Sequence, residues 1–456
     1  MHTGETITTE RDLLSRKKFC EVLGGTLLST LAKPKLLFPG ASDARRPAID
    51  VAAIDRARIL RAARRYLREA PLTITSFPAA RRAGGKHDYF SEGDYWWPDP
   101  ANPTGPFIQR DGLTNPDNFT DHRRALIRLS VQMPALSAAW LITKEESHAA
   151  HAAAHLRAWF VDETTRMNPN LEFAQAIHGR TAGRGIGIID TVHLVEVARA
   201  AAALEGSKSF TSEVGDKVKR WFSEYLTWMT TSPHGIEERE AKNNHGTCWV
   251  LQVTEFARYT ENAELVRFCR KRFTSVLVPN QIAPNGSFPL ELARTKPYAY
   301  SLFNLDALAT ACHILSIGQD SLWEFELPDG RGMRKALEYM FPYIADKTSW
   351  PLPADVQYFD HWPVRQPSLL FAGLGLSRMD YLELWQRLNP DPTVAEVIRN
   401  FPIRQPLLWL FDKARSISLA PHHPQTCSTP IASAQRTWQA VSGGAMGTPW
   451  VRLSFG

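Results

Sequence analysis

Cysteine is scarce in this sequence, with five residues in 456 and no CxxC pair among them. The spacing does not fit a zinc site, so we expect the thiols of the folded body to be free and buried. Long apolar runs are also missing, and none approaches the roughly 18–20 residues that a membrane span needs. Strand-like alternation of apolar and polar residues is rare. These absences argue against a zinc centre, a membrane-spanning segment and a β-rich fold.

Excess charge of either sign is small as well. The chain has 53 basic and 47 acidic residues, a net charge of +6, and residues 1–46 hold eight basic and five acidic residues, so the remainder carries +3. A nearly balanced body argues against a nucleic-acid binder, which would show a basic stripe. It still allows a local basic groove for an anionic ligand. The hydrophobic content of 44% is that of a globular protein rather than a disordered chain.

The two ends of the chain differ from its body. Residues 15–32 place a basic cluster before a modest apolar run, which is the order of an export signal. We therefore expect residues 1–46 to be a leader and the protein to be periplasmic or secreted, although a leader on a cytosolic protein has a similar pattern. Residues 413–456 lose helical periodicity and are expected to form an irregular extension. The folded domain is predicted to span residues 47–412.

The body reads as one helix after another. Apolar residues recur at helical spacing in ten segments. They are 54–68, 122–142, 146–160, 186–204, 214–229, 247–259, 264–277, 301–315, 333–344 and 380–388. Long polar loops separate helix pairs, notably 84–120, 166–186, 231–246 and 279–300. The pattern predicts an all-α fold, an α/α toroid or solenoid in which loops and inner helix ends form a cleft.

The segment 242–250, KNNHGTCWV, carries the first candidate site residues. Asn243, Asn244 and His245 come just before an apolar helical run and so crowd the first turn of a helix. A helix amino terminus favours anions, and amide side chains there can donate hydrogen bonds to a carboxylate. A neighbouring histidine can act as a general base near neutral pH. Ordinary capping by asparagine, with a surface histidine, would give the same pattern.

The segment 286–305, GSFPLELARTKPYAYSLFNL, carries the second group. Arg294 could pair with a substrate carboxylate, and Tyr298 or Tyr300 could donate or accept a proton. Asn304 lies one helical turn beyond Tyr300. An ion pair for the arginine and core packing for the tyrosines are the structural alternatives.

Taken together, the two segments resemble the alginate lyase superfamily of polysaccharide lyases, which fold as α/α toroids. The shared pattern is an NNH motif before a helix, then ELxRT and YSxFNL about fifty residues later. The sequence is most similar to polysaccharide lyase family thirty-eight, which includes alginate and glucuronan lyases, and less so to family five. The resemblance covers residues 85–412, with supporting blocks at 88–100, 170–191 and 362–374. It implies an incomplete barrel of six or seven helix pairs around a central substrate cleft.

The resemblance also implies roles for individual residues. Asn244 and Arg294 match positions that bind and neutralise a uronate carboxylate, His245 matches the base, and Tyr300 matches the catalytic tyrosine, with Tyr298 as the alternative register. The remaining positions expected to bind substrate or line the cleft are Asn243, Gln175, His178, Arg184, Trp96 and Trp97. The implied partner is an anionic polysaccharide, acted on by a monomer that needs neither a metal nor another cofactor.

Cleavage of a 4-linked uronate by β-elimination explains why these residue types are needed. The C5 proton is poorly acidic beside a carboxylate, and Arg and Asn on that carboxylate stabilise the enolate-like intermediate by several kcal/mol. A base and an acid each contribute about 10²–10⁴-fold. In mannuronate and glucuronate the C5 hydrogen and C4 oxygen lie on the same side, so one tyrosine can serve as both. In guluronate they lie on opposite sides, so His245 would take the proton and Tyr300 would give one. Alginate is the first expected substrate and glucuronan the second.

Three alternatives remain open from the sequence. Histidines at 148, 151 and 155 share a helix face, as a metal site would require, but their Ala-rich surroundings favour an ordinary helix. A glycoside hydrolase would need two positioned carboxylates. The candidates are Glu92, Asp94, Glu240 and Glu291, although the last two could instead orient His245 or Arg294. A non-catalytic polyuronate-binding protein would keep the aromatic and arginine groove without needing the tyrosine or histidine.

Overall fold

Helices make up most of the computed structural model, which describes residues 49–316 and 320–411. The expected leader (1–46) and C-terminal extension (413–456) lie outside the described residues, as do Cys20 and Cys427. The helices in chain order are α1 (Val51–Tyr66), α2 (Asp121–Thr143), α3 (Glu146–Phe160), α4 (Leu194–Ala203), α5 (Ser212–Thr231), α6 (Pro233–Glu240), α7 (Asn244–Tyr259), α8 (Ala263–Arg272), α9 (Val278–Gln281), α10 (Pro289–Leu292), α11 (Pro297–Leu315), α12 (Met333–Ala345), α13 (Pro367–Gly375), α14 (Met379–Arg387), α15 (Ala395–Arg399) and α16 (Pro406–Leu410).

Several helices begin where a short polar side chain precedes the first turn. The Asp50 carboxylate accepts a hydrogen bond from the Ala53 amide at 2.9 Å at the start of α1. The Ser232 hydroxyl accepts one from the Gly235 amide at 3.0 Å, with Pro233 as the first residue of α6. Such caps satisfy amides that have no partner within the helix. The sequence therefore sets these helix starts locally.

The long helices pack in two layers. α2, α4, α7, α11 and α13 contact one another in succession and form the inner layer. The helices α3, α5, α8, α12 and α14 pack against the inner helices from outside. Burial differs accordingly, because nearly all of α7 is buried whereas α8 buries only Val266 and Cys269. This arrangement confirms the predicted α/α toroid.

Helix α2 differs from the expectation that no segment would be apolar enough to span a membrane. Among the described residues, it is the one helix that is long and apolar enough to allow a span. However, most of this helix is buried inside the fold. Its position in the inner layer accounts for its apolar composition.

Short strands occupy two of the expected loops. β1 (Phe90–Glu92) pairs in parallel with β4 (Phe173–Ala176), and β2 (Trp96–Trp97) pairs antiparallel with β3 (Ile108–Gln109). The β1–β4 pair joins loop 84–120 to loop 166–186, and the β2–β3 pair lies within loop 84–120. The two loops therefore form one ordered region that carries several candidate site residues.

Several sequence predictions of secondary structure were wrong, among them the expected loop 279–300, which contains α10 and the start of α11. Residues 231–246, expected to be a loop, contain helix α6. The helix expected over 186–204 begins only at Leu194, after a 3₁₀ segment, Gly185–Thr191. The backbone at Gly187 lies so close to Ala174 that a Cβ would be 2.5 Å from that side chain. Close packing against β4 thus replaces the first helical turns.

The segment after α8 is a π-helical turn. The sequence predicts a single helix over 264–277, whereas α8 ends at Arg272, Phe273–Leu277 is π-helical, and α9 follows directly. A π turn contains more residues than an α turn and is frequent at functional sites. α9 ends at Gln281, which is buried beneath the start of α7.

The described cysteines and the histidines of α3 have structural roles. Cys248, Cys269 and Cys312 are free and buried, as expected. His151 Nε2 donates to the Glu69 carbonyl at 2.9 Å, whereas neither ring nitrogen of buried His155 has a hydrogen-bond partner among the described residues. Over the described ranges, no group of His, Cys, Asp or Glu is arranged to hold a metal ion.

Candidate active site

The Asn243–Asn244–His245 turn lies where the sequence predicts it, at the start of α7. The Asn243 side chain caps the helix by accepting from the His245 amide at 3.3 Å. The backbone amide and the side-chain amide of Asn244 both donate to the Glu291 carboxylate, each at 2.7 Å. Glu291 therefore fixes Asn244 and leaves its side chain a second N–H for another acceptor.

His245 is held by a carboxylate that the sequence did not indicate. Its Nδ1 lies 2.8 Å from Oε1 of Glu238, near the end of α6. Glu238 is fully buried, and this burial raises its pKa, while the nearby imidazole opposes the rise. Donation from Nδ1–H to the carboxylate leaves Nε2 as the acceptor. His245 is 16% exposed, and in this orientation Nε2 is able to accept a proton.

Arg294 joins two loops at the site. Its Nε and Nη2 donate to the two carboxylate oxygens of Asp111, at 3.3 and 2.6 Å. Nη2 also donates to the Tyr300 hydroxyl at 2.9 Å, and the guanidinium carbon lies 4.1 Å from the centre of the Tyr300 ring. This geometry places a fixed positive charge on the phenol, and none of these hydrogen bonds uses Nη1.

Tyr300 also contacts a second phenol. Its hydroxyl lies 2.8 Å from the hydroxyl of Tyr95, which comes from loop 84–120. Burial raises the pKa of Tyr300, and the positive charge of Arg294 opposes this rise. The hydroxyl is therefore protonated at neutral pH and can give a proton, with Arg294 placed to stabilise the phenolate that results.

The four residues expected to be catalytic come together around Glu291 and Arg294. Burial raises the pKa of Glu291, and the opposing influences are the hydrogen bonds from Asn244 and the charges of Arg294 and His245. Asn244 donates to this buried carboxylate, and the Arg294 amide donates to the Glu291 carbonyl at 3.1 Å, so Glu291 and Arg294 link Asn244 to Tyr300. A region bounded by an amide, an imidazole, a guanidinium and a phenol suits an anionic substrate that exchanges protons.

Tyr298, the alternative tyrosine, is not part of this group. Its side chain is fully buried against Trp350 and Phe359, and its hydroxyl donates to the Tyr343 carbonyl at 2.9 Å. Two residues along an α-helix are rotated by about 200°, so Tyr298 and Tyr300 face opposite sides of α11. Tyr298 packs in the core, and its predicted contact with substrate is not supported by its position.

Gln175, Arg184 and Trp96 form a second group in the ordered loop region. Gln175 donates to Asp190 at 3.0 Å and accepts from Arg184 at 3.2 Å. The Arg184 guanidinium lies 5.7 Å from the centre of the Trp96 ring. This group adjoins the first through Gly185, whose amide donates to Glu237 on α6 at 2.9 Å.

His178 and Trp97 lie further along the same region. The exposed His178 ring packs on Phe107, with ring centres 5.1 Å apart. Trp97 donates from its indole nitrogen to the Leu113 carbonyl at 2.9 Å, and Arg110 lies over its ring at 5.4 Å. Both therefore have local partners, and in the described part of the chain neither shares a hydrogen bond with the Tyr300 group.

Sequence reasoning missed three residues of the site. Glu238 lies in a segment expected to be a loop, although the Ser232–Pro233 pair is a recognisable helix start. Asp111 and Tyr95 lie about two hundred residues from their partners. No local pattern marks Asp111, and Tyr95 lies in the supporting block 88–100, where nothing distinguished it as a partner of Tyr300. Of the acids considered, Glu291 does hold a site residue, namely Asn244, whereas Glu240 pairs with Arg239 and Arg272.

Comparison with known proteins supports the resemblance to alginate lyases. The alginate lyase family model matches residues 73–350. An alginate lyase from Bacteroides ovatus is 32% identical, with a TM-score of 0.69 over 78% of this chain and 93% of that protein.

Two further matches are more distant. Alginate lyase A1-III from Sphingomonas species A1 is 16% identical, with a TM-score of 0.44 over 72% of this chain and 88% of that one. A variant of A1-III complexed with a tetrasaccharide is also 16% identical, with a TM-score of 0.48 over 78% and 94%. No curated protein matches the sequence. The family model and the Bacteroides ovatus structure establish that the chain belongs to the alginate lyase family of polysaccharide lyases.

Proposed function

We propose that this chain cleaves β-1,4-linked polyuronate by β-elimination and leaves 4,5-unsaturated uronate ends. Alginate, of the mannuronate type, is the proposed substrate, and glucuronan is the alternative polymer. The observation that carries the proposal is the hydrogen bond of 2.9 Å from Arg294 to the Tyr300 hydroxyl. It places a fixed cation on the group that would move the proton.

Substrate binding would use donors that the fold leaves available. Arg294 employs Nε and Nη2 in its hydrogen bonds with Asp111 and Tyr300, so Nη1 can meet a carboxylate. Asn244 gives one side-chain N–H to Glu291 and has another to offer. Two such donors on the uronate carboxylate lower its electron density and stabilise the enolate-like intermediate by several kcal/mol.

Proton transfer would then depend on the geometry of the sugar. On mannuronate or glucuronate, Tyr300 would first release its proton to solvent, then remove the C5 proton as a phenolate stabilised by Arg294 and return that proton to the C4 oxygen. On guluronate, Nε2 of His245 would take the C5 proton from the opposite side, while protonated Tyr300 gives one to O4. The raised pKa of Tyr300 suits the proton-donating role directly.

A hydrolase is less well supported because its candidate carboxylates already have partners. Glu92 binds Arg81 at 2.7 and 2.5 Å, and Asp94 is paired with Arg123 and, at 2.6 Å, with Arg399. A hydrolytic acid needs a proton at neutral pH, whereas the pKa of Asp94 is lowered because those two guanidiniums outweigh the opposing influence of burial.

The test is the appearance of ultraviolet absorbance from the unsaturated product on polymannuronate, polyguluronate and glucuronan separately. We expect a rise on polymannuronate and its loss in Tyr300→Phe, with substrate binding retained. Tyr298→Phe is the matched control, because it removes a hydroxyl from the same helix on its core side. Reducing ends without absorbance would indicate hydrolysis, and binding without either product would indicate a non-catalytic protein; both outcomes contradict the proposal.

A further inference from the structure

A narrow pocket opens beside the paired hydroxyls of Tyr95 and Tyr300. Its near wall belongs to loop 84–120 and to the start of α11. Its far wall is made of Gln357, Tyr358, Trp362, Glu396 and Asn400. These far-wall residues lie beyond residue 350, where the family match ends. The pocket thus combines the region that family members share with side chains from a part of the chain that the family model does not cover.

The floor of the pocket holds an ion pair with spare hydrogen-bonding capacity. The Lys296 ammonium lies 3.4 Å from a carboxylate oxygen of Glu396, and the two side chains are 4% and 11% exposed. The ammonium also lies over the rings of Tyr95 and Tyr358, at 5.5 and 5.1 Å. A lysine has three N–H donors, and this long hydrogen bond uses one. The other carboxylate oxygen of Glu396 accepts from Arg399 at 3.3 Å, and Arg399 is itself paired with Asp94 at 2.6 Å. Lys296 therefore supplies the spare donors, and the Glu396 oxygens keep lone pairs for a hydroxyl.

Gln357 adds an acceptor without a partner. Its Oε1 is buried and receives no hydrogen bond in the part of the chain that the structure describes. A buried acceptor of this kind is unfavourable until a donor reaches it. A carboxylate has no hydrogen to give, whereas a sugar hydroxyl can donate to Gln357 or Glu396 and accept from Lys296. The chemistry of the pocket therefore suits hydroxyl groups better than a second carboxylate.

We infer that this pocket receives ring hydroxyls of the uronate bound at Tyr300 and selects the substrate by its configuration at C2. The inference rests on the proposed function. Mannuronate and glucuronate carry the same carboxylate and differ only at C2, so the groups around Arg294 cannot separate them. A site built to hydrogen-bond a hydroxyl discriminates strongly against a sugar that presents it wrongly, because its own polar groups are then left without partners.

The experiment compares kcat/KM on polymannuronate and on glucuronan for the wild type, Lys296→Met and Gln357→Leu. We expect each variant to lower the ratio between the preferred and the other polymer by about tenfold to a hundredfold, with most of the loss on the preferred one. Gln357→Leu keeps the ion pair and thus covers the case in which Lys296→Met fails to fold. Lys347→Met is the matched control: Lys347 also packs on an aromatic ring, Phe359, and lies outside the pocket.

A second measurement does not require turnover. Each variant also carries Tyr300→Phe, and the ratio of its affinities for mannuronate and glucuronate oligomers is determined. The inference is overturned if both polymers lose kcat/KM equally, or if the two ratios stay at their wild-type values. Absence of unsaturated product from the wild type would instead refute the proposed function, and the binding ratio would still decide whether the pocket selects at C2.

Discussion

Nδ1 of His245 lies 2.8 Å from a carboxylate oxygen of Glu238, so the imidazole is fixed in one orientation by a fully buried acid. The other oxygen of Glu238 has no hydrogen-bond partner among the described residues. The carboxylate therefore has His245 as its hydrogen-bonding counterpart, and the tautomer of the imidazole follows from it.

Replacing Glu238 should weaken the ability of His245 to accept a proton. In Glu238→Gln, an amide that donates to Nδ1 would favour the tautomer whose Nε2 carries the proton and cannot accept another. We expect kcat on polyguluronate to fall by about 10²-fold or more, and by less on polymannuronate, where Tyr300 can act as the base. The measurement is the rate of unsaturated product formation on each polymer.

Glu240→Gln is the control for this change. Glu240 lies two residues further along the chain, is 55% exposed and pairs with Arg239 and Arg272 at the surface. Its replacement should leave both rates near the wild type. Equal losses on the two polymers in Glu238→Gln would show that Glu238 supports the fold rather than the base.

A hydrogen-bonded bridge through Gln281 should position the Asn243–Asn244–His245 turn. Its Oε1 accepts from Thr247 at 2.8 Å and from Asn304 at 2.9 Å, while its Nε2 donates to the Asn243 carbonyl at 3.0 Å. The bridge links α11, which carries Tyr300, to the start of α7. We expect Gln281→Leu to lower kcat by about tenfold to a hundredfold with a smaller change in KM, because small displacements of reacting groups are costly.

The matched control for Gln281 is Gln252→Leu. Gln252 is also fully buried, accepts from Thr191 at 2.8 Å and donates to the Ile188 carbonyl at 3.3 Å, further along α7. Both variants should lose stability, but only Gln281→Leu should lose kcat. Gln281→Glu keeps the two accepting contacts and loses the donor to Asn243, so an unimpaired rate in that variant would contradict the bridge.

His155 should make the fold sensitive to acid. Burial lowers the pKa of His155 from 6.5 to about 3, so the folded protein keeps it neutral. The unfolded chain takes up a proton below about pH 6.5, and stability is therefore lost as the pH falls from that value to about 3. The loss attributable to this group is about 2 kcal/mol at about pH 5.

Urea unfolding of the wild type and His155→Leu at about pH 7.5 and about pH 5 measures this effect. The variant should lose less stability between the two pH values than the wild type does. His361→Leu, at an exposed position, should behave as the wild type. An identical pH dependence in His155→Leu and the wild type would rule out His155 as the origin.

The sequence predicts the helices and the first turn of α7 because these depend on local signals. Apolar residues at helical spacing mark α2, α3 and α5, and the polar Asn243–Asn244 pair marks where α7 begins. The catalytic candidates themselves could be identified from the sequence because they fall in two compact motifs. Resemblance to the alginate lyase superfamily then supplied their roles, which remain predictions.

The partners of those residues could not be predicted in the same way. Asp111 reaches Arg294 across 183 positions of sequence and Tyr95 reaches Tyr300 across 205. Such pairs depend on how the loop region 84–120 packs over the helix ends. Loop packing of this kind leaves no periodic pattern of apolar residues in the sequence. The choice between Tyr298 and Tyr300 likewise depends on which side of α11 meets the core.

The π-helical turn Phe273–Leu277 makes one side of the site depend on the length of the chain. An α-helix rotates by about 100° per residue, so one residue more or fewer before Gln281 would turn its side chain away from Asn243 and Asn304. Substitutions in the turn leave that count intact, whereas insertions and deletions change it. We therefore expect evolution to have explored the composition of this segment more freely than its length.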